Sequence, residues 1–301
     1  MLGDKWHMWS VLTDSLLDTL KVFPFLLLIY IIIEILEHRT TLIQNKKILQ
    51  GRLAPLIGSA TGIIPQCGFS VMAAKLYDNG LIRTGTIVAV FIATSDEALI
   101  IMLSNMNAAA YVMPLILIKL VVAVGVGYLV NFLYSGERLK ETGLLADVQA
   151  QFCCDNHGEK TDIERYLVSP LLHSLKIAFY IFIVNFVFGA IFDTIFDAVG
   201  DDAFVSAIMG GKFVEPLITA LIGLIPNCAS STILTQTFIK QGIFFGSFVG
   251  GLCSNAGLGL VVLFKDRKRL KRNIVLVIGL YVVAVAVGLA VNGITTLLGV
   301  I

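Results

Sequence analysis

"GIIPQCGFS" at residues 62–70 and "GLIPNCASS" at 223–231 are one turn written twice. They agree at Gly62/Gly223, Ile64/Ile225, Pro65/Pro226, Cys67/Cys228 and Ser70/Ser231. A proline inside an apolar helical segment removes a backbone donor and clashes with the preceding turn, at a cost of ~3 kcal/mol or more. Repeating that cost at two places calls for an environment in which broken backbone is useful.

The composition supplies the environment. The chain has 301 residues, 57% hydrophobic and 14% charged, where a soluble domain carries about a quarter charged residues. Val22–Ile35, Tyr111–Tyr134, Ile177–Phe196, Ile243–Phe264 and Ile274–Ile301 approach or exceed the ~20 apolar residues that cross a bilayer. The expectation is a polytopic, all-α protein of the inner (cytoplasmic) membrane. Residues 6–21 read as a mixed amphipathic lead-in, not as a cleaved leader. A net charge of +1 suggests no nucleic-acid or acidic partner. The partners implied are the bilayer, a small-molecule or metal-ion substrate and, compatibly, further copies of the chain. No cofactor is called for. Five cysteines, an odd number, do not form a disulfide framework.

The likeness between the two turns extends outward. "LLDTLKVF" (16–23) matches "LLHSLKIA" (171–178), "TSDEAL" (94–99) matches "CSNAGL" (253–258), and "LVVAVGVGYLVN" (120–131) matches "YVVAVAVGLAVN" (281–292). These ordered blocks predict two homologous halves, residues 1–135 and 166–301, joined by a polar cytoplasmic linker over 136–165. Charge orients them. The loop 39–52 carries Arg39, Lys46, Lys47 and Arg52, whereas its counterpart 197–213 carries Asp197, Asp201, Asp202 and one lysine, Lys212. The segment 265–272 holds Lys265, Arg267, Lys268, Arg269, Lys271 and Arg272. Basic loops stay in the cytoplasm, so matching loops of opposite bias predict inverted topology.

The chain must then cross an odd number of times between 197–213 and 265–272, although two apolar segments lie there. Making 214–240 a re-entrant helical hairpin, and by symmetry 53–78, resolves the count. Each half becomes three spans and one two-armed hairpin, ten helices in all. Unpaired backbone in lipid survives only where it is buried in protein or lines a wet cavity, so Pro65 and Pro226 mark breaks that face something polar. Gln66/Asn227, Ser70/Ser231 and Ser230 supply partners there. The second arm opens a helix whose positive end points at the midplane. Cys67 and Cys228 stand at those ends, where a thiolate is favoured; each also fits as a small hydrophobe in a tight turn.

"ATSDEALI" places Asp96 and Glu97 inside an apolar run from Ile87 to Leu103. Ionisable residues within a span read as functional by default, with a helix-capping carboxylate as the structural alternative. The motif match pairs Ser95 with Ser254 and Asp96 with Asn255, and Gly257 and Gly259 let the second segment unwind. Four breaks would then meet between the halves, where inverted-repeat transporters hold substrate and coupling ion. Gln66, Cys67, Ser70, Ser95, Asn227, Cys228, Ser230, Ser231, Ser254 and Asn255 are the substrate-facing candidates, and Asp96 and Glu97 the ion or proton sites. Lys119 is expected to snorkel to the surface, the sharper alternative being a pair with Asp96 or Glu97. Asn131 and Asn292 are repeat-matched helix-bonding residues. In the linker, Cys153, Cys154 and His157 offer soft ligands suited to thiophilic metals, without the second half of a zinc motif.

"IPQCGFS" (64–70), "TSDEAL", "IPNCASS" (225–231) and "CSNAGLG" (253–259) resemble the ten-helix heavy-metal exporter family, sister to the organoarsenical efflux permeases. The resemblance covers essentially the whole chain and implies a secondary active exporter of a heavy-metal or metalloid species, working by alternating access. A small organic anion held by the hairpin tips is the alternative cargo. Each hairpin carries a single cysteine and the linker is sparse in Cys and His, which sets this chain apart from metal-richer relatives. An enzyme is disfavoured: a catalytic cysteine wants a histidine, and His7, His38, His157 and His173 all lie outside span centres.

Overall fold

The computed structural model describes residues 51–134 and 211–298, except Pro65, Gln66, Asn79, Asp96 and residues 266–269, together with scattered positions between 12 and 27 and between 171 and 190. The expected spans Val22–Ile35 and Ile177–Phe196 lie mostly, and the linker 136–165 wholly, outside the described residues. Among these residues every element is a helix.

The first half contributes α1 (Ala54–Gly62), α2 (Cys67–Asp78), α3 (Thr84–Ala93), α4 (Ala98–Ser104), the short α5 (Met106–Ala109) and α6 (Val112–Leu133). The second contributes α7 (Glu215–Gly223), α8 (Cys228–Ile239), α9 (Phe245–Ser254), α10 (Gly259–Lys265) and α11 (Leu270–Leu297). Helices α1 and α7 are both 9 residues long, α2 and α8 both 12, α3 and α9 both 10, α4 and α10 both 7. Each of these second-half helices starts 161 residues after its counterpart, as Glu215 follows Ala54. Packing repeats as well: α1 lies on α3 and α7 on α9, while α3 lies on α6 and α9 on α11. Between the halves, α2 packs on α10 and α8 on α4.

This register corrects one expected correspondence. With α3 and α9 aligned end to end, Thr94 stands opposite Asn255 and Asp96 opposite Gly257, two residues away from the pairing that the motif match gave. Helix length, which fixes where each break begins, overrides a six-residue likeness.

Among the described residues, four helices are long and apolar enough to cross a membrane: Thr84–Ser104, Val112–Leu133, Phe245–Phe264 and Leu270–Leu297. The first and third contain breaks and are 76% and 83% buried, whereas the unbroken pair is only 28% buried in each case. Interrupted backbone thus sits at the centre and continuous helix at the rim, as unpaired peptide groups require. Helix α11 begins at Leu270, earlier than its apolar run, because Lys271 and Arg272 continue the helix; long basic side chains suit a helix end that meets the membrane surface.

Arms of 9 and 12 residues rise only ~14 and ~18 Å, too short for a hydrocarbon core of ~30 Å. Their breaks are closed locally. Ile64 N–H donates to the Thr61 carbonyl at 3.3 Å, Ile225 N–H to Ile222 at 3.1 Å and Asn227 N–H to Ile225 at 2.8 Å, so tightened turns absorb groups the helix leaves over. The turns after the second arms also match, with Gly80 at φ 73° and Gln241 at φ 58°.

Small residues let the helices approach. A Cβ on Gly85 would strike the Gly127 carbonyl, and one on Gly246 would strike the backbone and side chain of Asn292. Close backbone contact of this kind holds helices together where no hydrophobic drive exists. Asn131 Oδ1 accepts from Gly85 N–H at 3.0 Å, and Asn292 Nδ2 donates to Ser247 Oγ at 2.9 Å. The repeat-matched asparagines do bond neighbouring helices.

Candidate functional site

Helix α3 carries no ionisable residue and is buried along its whole length. It ends at Ala93 because the chain turns extended at Thr94, whose φ is −56° and ψ 131°. Thr94 Oγ1 donates to the Val90 carbonyl at 2.8 Å and Ser95 Oγ to the Ala93 carbonyl at 3.3 Å, so both hydroxyls are engaged locally. Glu97 follows at the N-cap of α4.

The matching break after α9 runs through Asn255, Ala256, Gly257 and Leu258, all buried. Ser254 Oγ donates to the carbonyls of Ala220 and Gly251, both at 2.8 Å, tying the end of α9 to α7. Asn255 Oδ1 accepts from Gly257 N–H at 3.0 Å. Gly257 has φ 54°, a left-handed backbone that glycine adopts without penalty.

At the second hairpin tip, Asn227 caps α8: its side chain accepts from Ala229 N–H at 3.3 Å. Ser230 Oγ donates to the carbonyls of Asn227 at 2.7 Å and Ile225 at 3.2 Å. Ser231, one turn into the helix, faces the other way. Its hydroxyl reaches Glu97 Oε2 at 3.5 Å, joining the second hairpin to the break of the first half. The first hairpin reciprocates: a Cβ on Gly259, at the start of α10, would come within 2.8 Å of the Ser70 carbonyl on α2. Ser70 and Ser231 are both fully buried. Cys67 and Cys228 open α2 and α8.

Of the expected site residues, Ser231 and Glu97 are therefore brought together, and Ser70 lies at the equivalent crossing. Ser95, Asn227, Ser230, Ser254 and Asn255 hold the breaks in shape through backbone bonds. The side chains of Cys67 and Cys228, all of Gln66 and Asp96, and the linker trio Cys153, Cys154 and His157 lie outside the described residues. Among the described residues, no three His, Cys, Asp or Glu side chains cluster to hold a metal.

Lys119 corrects another expectation. It does not snorkel: it is 1% exposed. Its Nζ donates to the Thr94 carbonyl and, at 3.0 Å, to the Leu252 carbonyl, one acceptor from each half. The signal that could have found this is the repeat itself. The residue matched to Lys119 is Leu280, also 1% exposed, so the position faces the core in both halves. A second missed residue is Glu215, a 2% exposed carboxylate whose Oε1 accepts from Phe244 N–H at 2.6 Å at the start of α9. An acceptor there satisfies a leftover donor and suits the positive helix end.

Apolar helices able to cross a membrane, two of them interrupted around a buried polar centre, define a multi-pass membrane protein. The family described as "Putative, 10TM heavy-metal exporter" matches residues 6–193, and the chain belongs to that family. No curated protein and no solved structure matches it.

Proposed function

We propose that the chain is a secondary active exporter of a heavy-metal or metalloid species, working by alternating access between two inverted repeats. Each repeat has three spans and one re-entrant hairpin, and both hairpins end at a midplane site. The observation that carries this reading is the reciprocal crossing. Helix α8 of the second half meets the break of the first through Ser231 and Glu97, and α2 of the first half meets the break of the second through Ser70 and Gly259. Breaks that cross in this way are where inverted-repeat transporters bind cargo.

Contacts at the two ends of the bundle support the hairpins. Tyr77, near the end of α2, shares a hydrogen bond of 3.1 Å with Thr84 at the start of α3. Pro55, in the first turn of α1, lies against Gly127, which in turn meets Gly85. Both ends of the first hairpin therefore stand beside the start of α3. In the second half, Glu215 of α7 and Phe238 of α8 both reach the start of α9, through Phe244 N–H and a ring contact of 5.8 Å to Phe245. Helix α11 spans from one group to the other, with Arg272 over the Tyr77 ring and Thr296 bonded to Lys212.

In this reading Cys67 and Cys228 present thiolates at positive helix ends to a soft cation. Gln66, Ser70, Ser95, Asn227, Ser230, Ser231, Ser254 and Asn255 shape its surroundings. Asp96 and Glu97 take the coupling cation or proton. Cys153, Cys154 and His157 deliver or sense metal on the cytoplasmic side of the inner membrane.

Uptake into inverted vesicles tests the proposal, using Mn²⁺, Zn²⁺, Co²⁺, arsenite, methylarsenite and small organic anions, with and without a pH gradient. The reading predicts uptake of a thiophilic species that Cys67→Ser with Cys228→Ser abolishes and that Asp96→Asn also abolishes. Transport indifferent to both cysteines yet dependent on Asp96 would contradict the soft-metal cargo and favour an organic anion.

A further inference from the structure

We infer that the seam between α6 and α11 binds one anionic phospholipid of the cytoplasmic leaflet, its acyl chain in a groove and its phosphate beside Lys271. The inference rests on the membrane orientation proposed above and goes beyond it.

Helix α6 packs on α3 and α11 on α9, each within its own half, which leaves a seam between the two outer helices. A groove of about 540 Å³ opens in that seam. One wall is α6 from Val126 to Tyr134 and the other α11 from Arg272 to Val283, with Thr84 and Val88 of α3 behind them. Along α11 the groove extends ~16 Å, about one leaflet of a ~30 Å hydrocarbon core. Leu133 and Val275 at its edges are 69% and 55% exposed, so it is open from the side.

The repeat shows that the space belongs to one end only. Across the halves Thr84 corresponds to Phe245, Arg272 to Tyr111 and Gly279 to Ile118. At the matched end the rings of Tyr111, Phe238 and Phe245 close on one another, with centroids 5.4, 5.5 and 5.8 Å apart. Ile118 there is packed against the core. At the groove the same positions hold a threonine and a glycine, and a Cβ on Gly279 would meet nothing within 4 Å. Small residues thus keep open what large ones fill at the other end.

Charge selects the occupant. Residues 265–272 carry six basic residues and one acidic, Asp266. Lys271 is exposed one turn before Val275 on the groove edge, and Arg83 directly precedes Thr84. Arg272 closes this end over the Tyr77 ring, 4.1 Å from its centre, and has further partners in the protein. Asp78, next to Tyr77, is the one acidic residue at this end among the described residues. The phosphate is therefore met by Lys271 and the basic segment around it, as anionic headgroups are at cytoplasmic basic clusters. Tyr134 at the mouth suits the headgroup level. A lipid held there fastens α6 of one half to α11 of the other on the cytoplasmic side.

The test uses the purified, delipidated full-length chain in neutral detergent. Phosphatidylglycerol or phosphatidylcholine is added, and bound lipid is counted by native mass spectrometry. Wild type is expected to retain one phosphatidylglycerol more tightly than any phosphatidylcholine. Lys271→Gln is expected to weaken that binding about fivefold. Gly279→Ile, which supplies the bulk of Ile118, is expected to abolish it, while Gly293→Ile, equally open but outside the groove, binds like wild type. Equal retention of the two lipids by wild type would overturn the inference even if no variant folds. So would a Gly279→Ile protein of wild-type affinity, or an equal loss in Gly293→Ile. Binding needs neither cargo nor sidedness: binding without transport of any species sinks the exporter reading alone, and transport without binding sinks the lipid inference alone. An impermeant maleimide on Lys271→Cys, in a chain lacking its native cysteines, reads the side. Reaction from outside would overturn the leaflet assignment and the orientation it rests on.

Discussion

Gln241 occupies a left-handed conformation, φ 58°, at the turn where its counterpart Gly80 has φ 73°. Any residue with a Cβ is strained there by ~1–2 kcal/mol. Gln241→Gly is therefore expected to raise stability by up to ~1 kcal/mol, the glycine's greater freedom in the unfolded chain offsetting part of the gain. A higher thermal midpoint in detergent checks it. The reverse holds at Gly85, where an added Cβ would meet the Gly127 carbonyl. Gly85→Ala should cost about 1–3 kcal/mol through overpacking, while Gly125→Ala, where nothing lies within 4 Å, should be near neutral or stabilising. At the crossing, Glu97→Gln should depress transport more than Ser231→Ala. The hydroxyl contact is long, 3.5 Å, whereas the carboxylate is the charge the proposed coupling uses; initial uptake rates in vesicles separate the two.

The elements divide by what a motif can encode. The proline–cysteine turns place the starts of α2 and α8 at Cys67 and Cys228, because proline forbids helix immediately before them and the small residues permit a tight tip. Uniform hydrophobicity marks α6 almost to the residue and α11 less closely, since that helix starts at Leu270, four residues before its apolar run. Periodicity is silent on direction in such helices: α6 is apolar nearly all round, so nothing local tells whether Lys119 faces lipid or core. Only comparison with Leu280 on α11 answers that. The acidic break was legible as a break but not in register, since "TSDEAL" and "CSNAGL" share letters while the helices before them share length. Capping is likewise a property of the element: Asn227 is the N-cap of α8. Asn227→Ala should lower stability by ~1 kcal/mol, and Asn227→Ser should restore most of it. Unfolding midpoints of the two variants decide this.

At the scale of the whole molecule, the account stands on two halves built alike and facing opposite ways. Arg52 and Phe213 are the matched residues just before α1 and α7, and both are exposed. If the repeats are inverted, they lie on opposite sides of the membrane, and each marks the mouth of its hairpin. The most direct test is therefore to place a single cysteine at Arg52 or at Phe213 in a chain whose five native cysteines are replaced. Right-side-out and inverted vesicles are then labelled with an impermeant maleimide. The account predicts that Arg52→Cys reacts only in inverted vesicles and Phe213→Cys only in right-side-out vesicles. Labelling of both from the same side would contradict the inverted repeat, and with it a midplane site shared between the two hairpins.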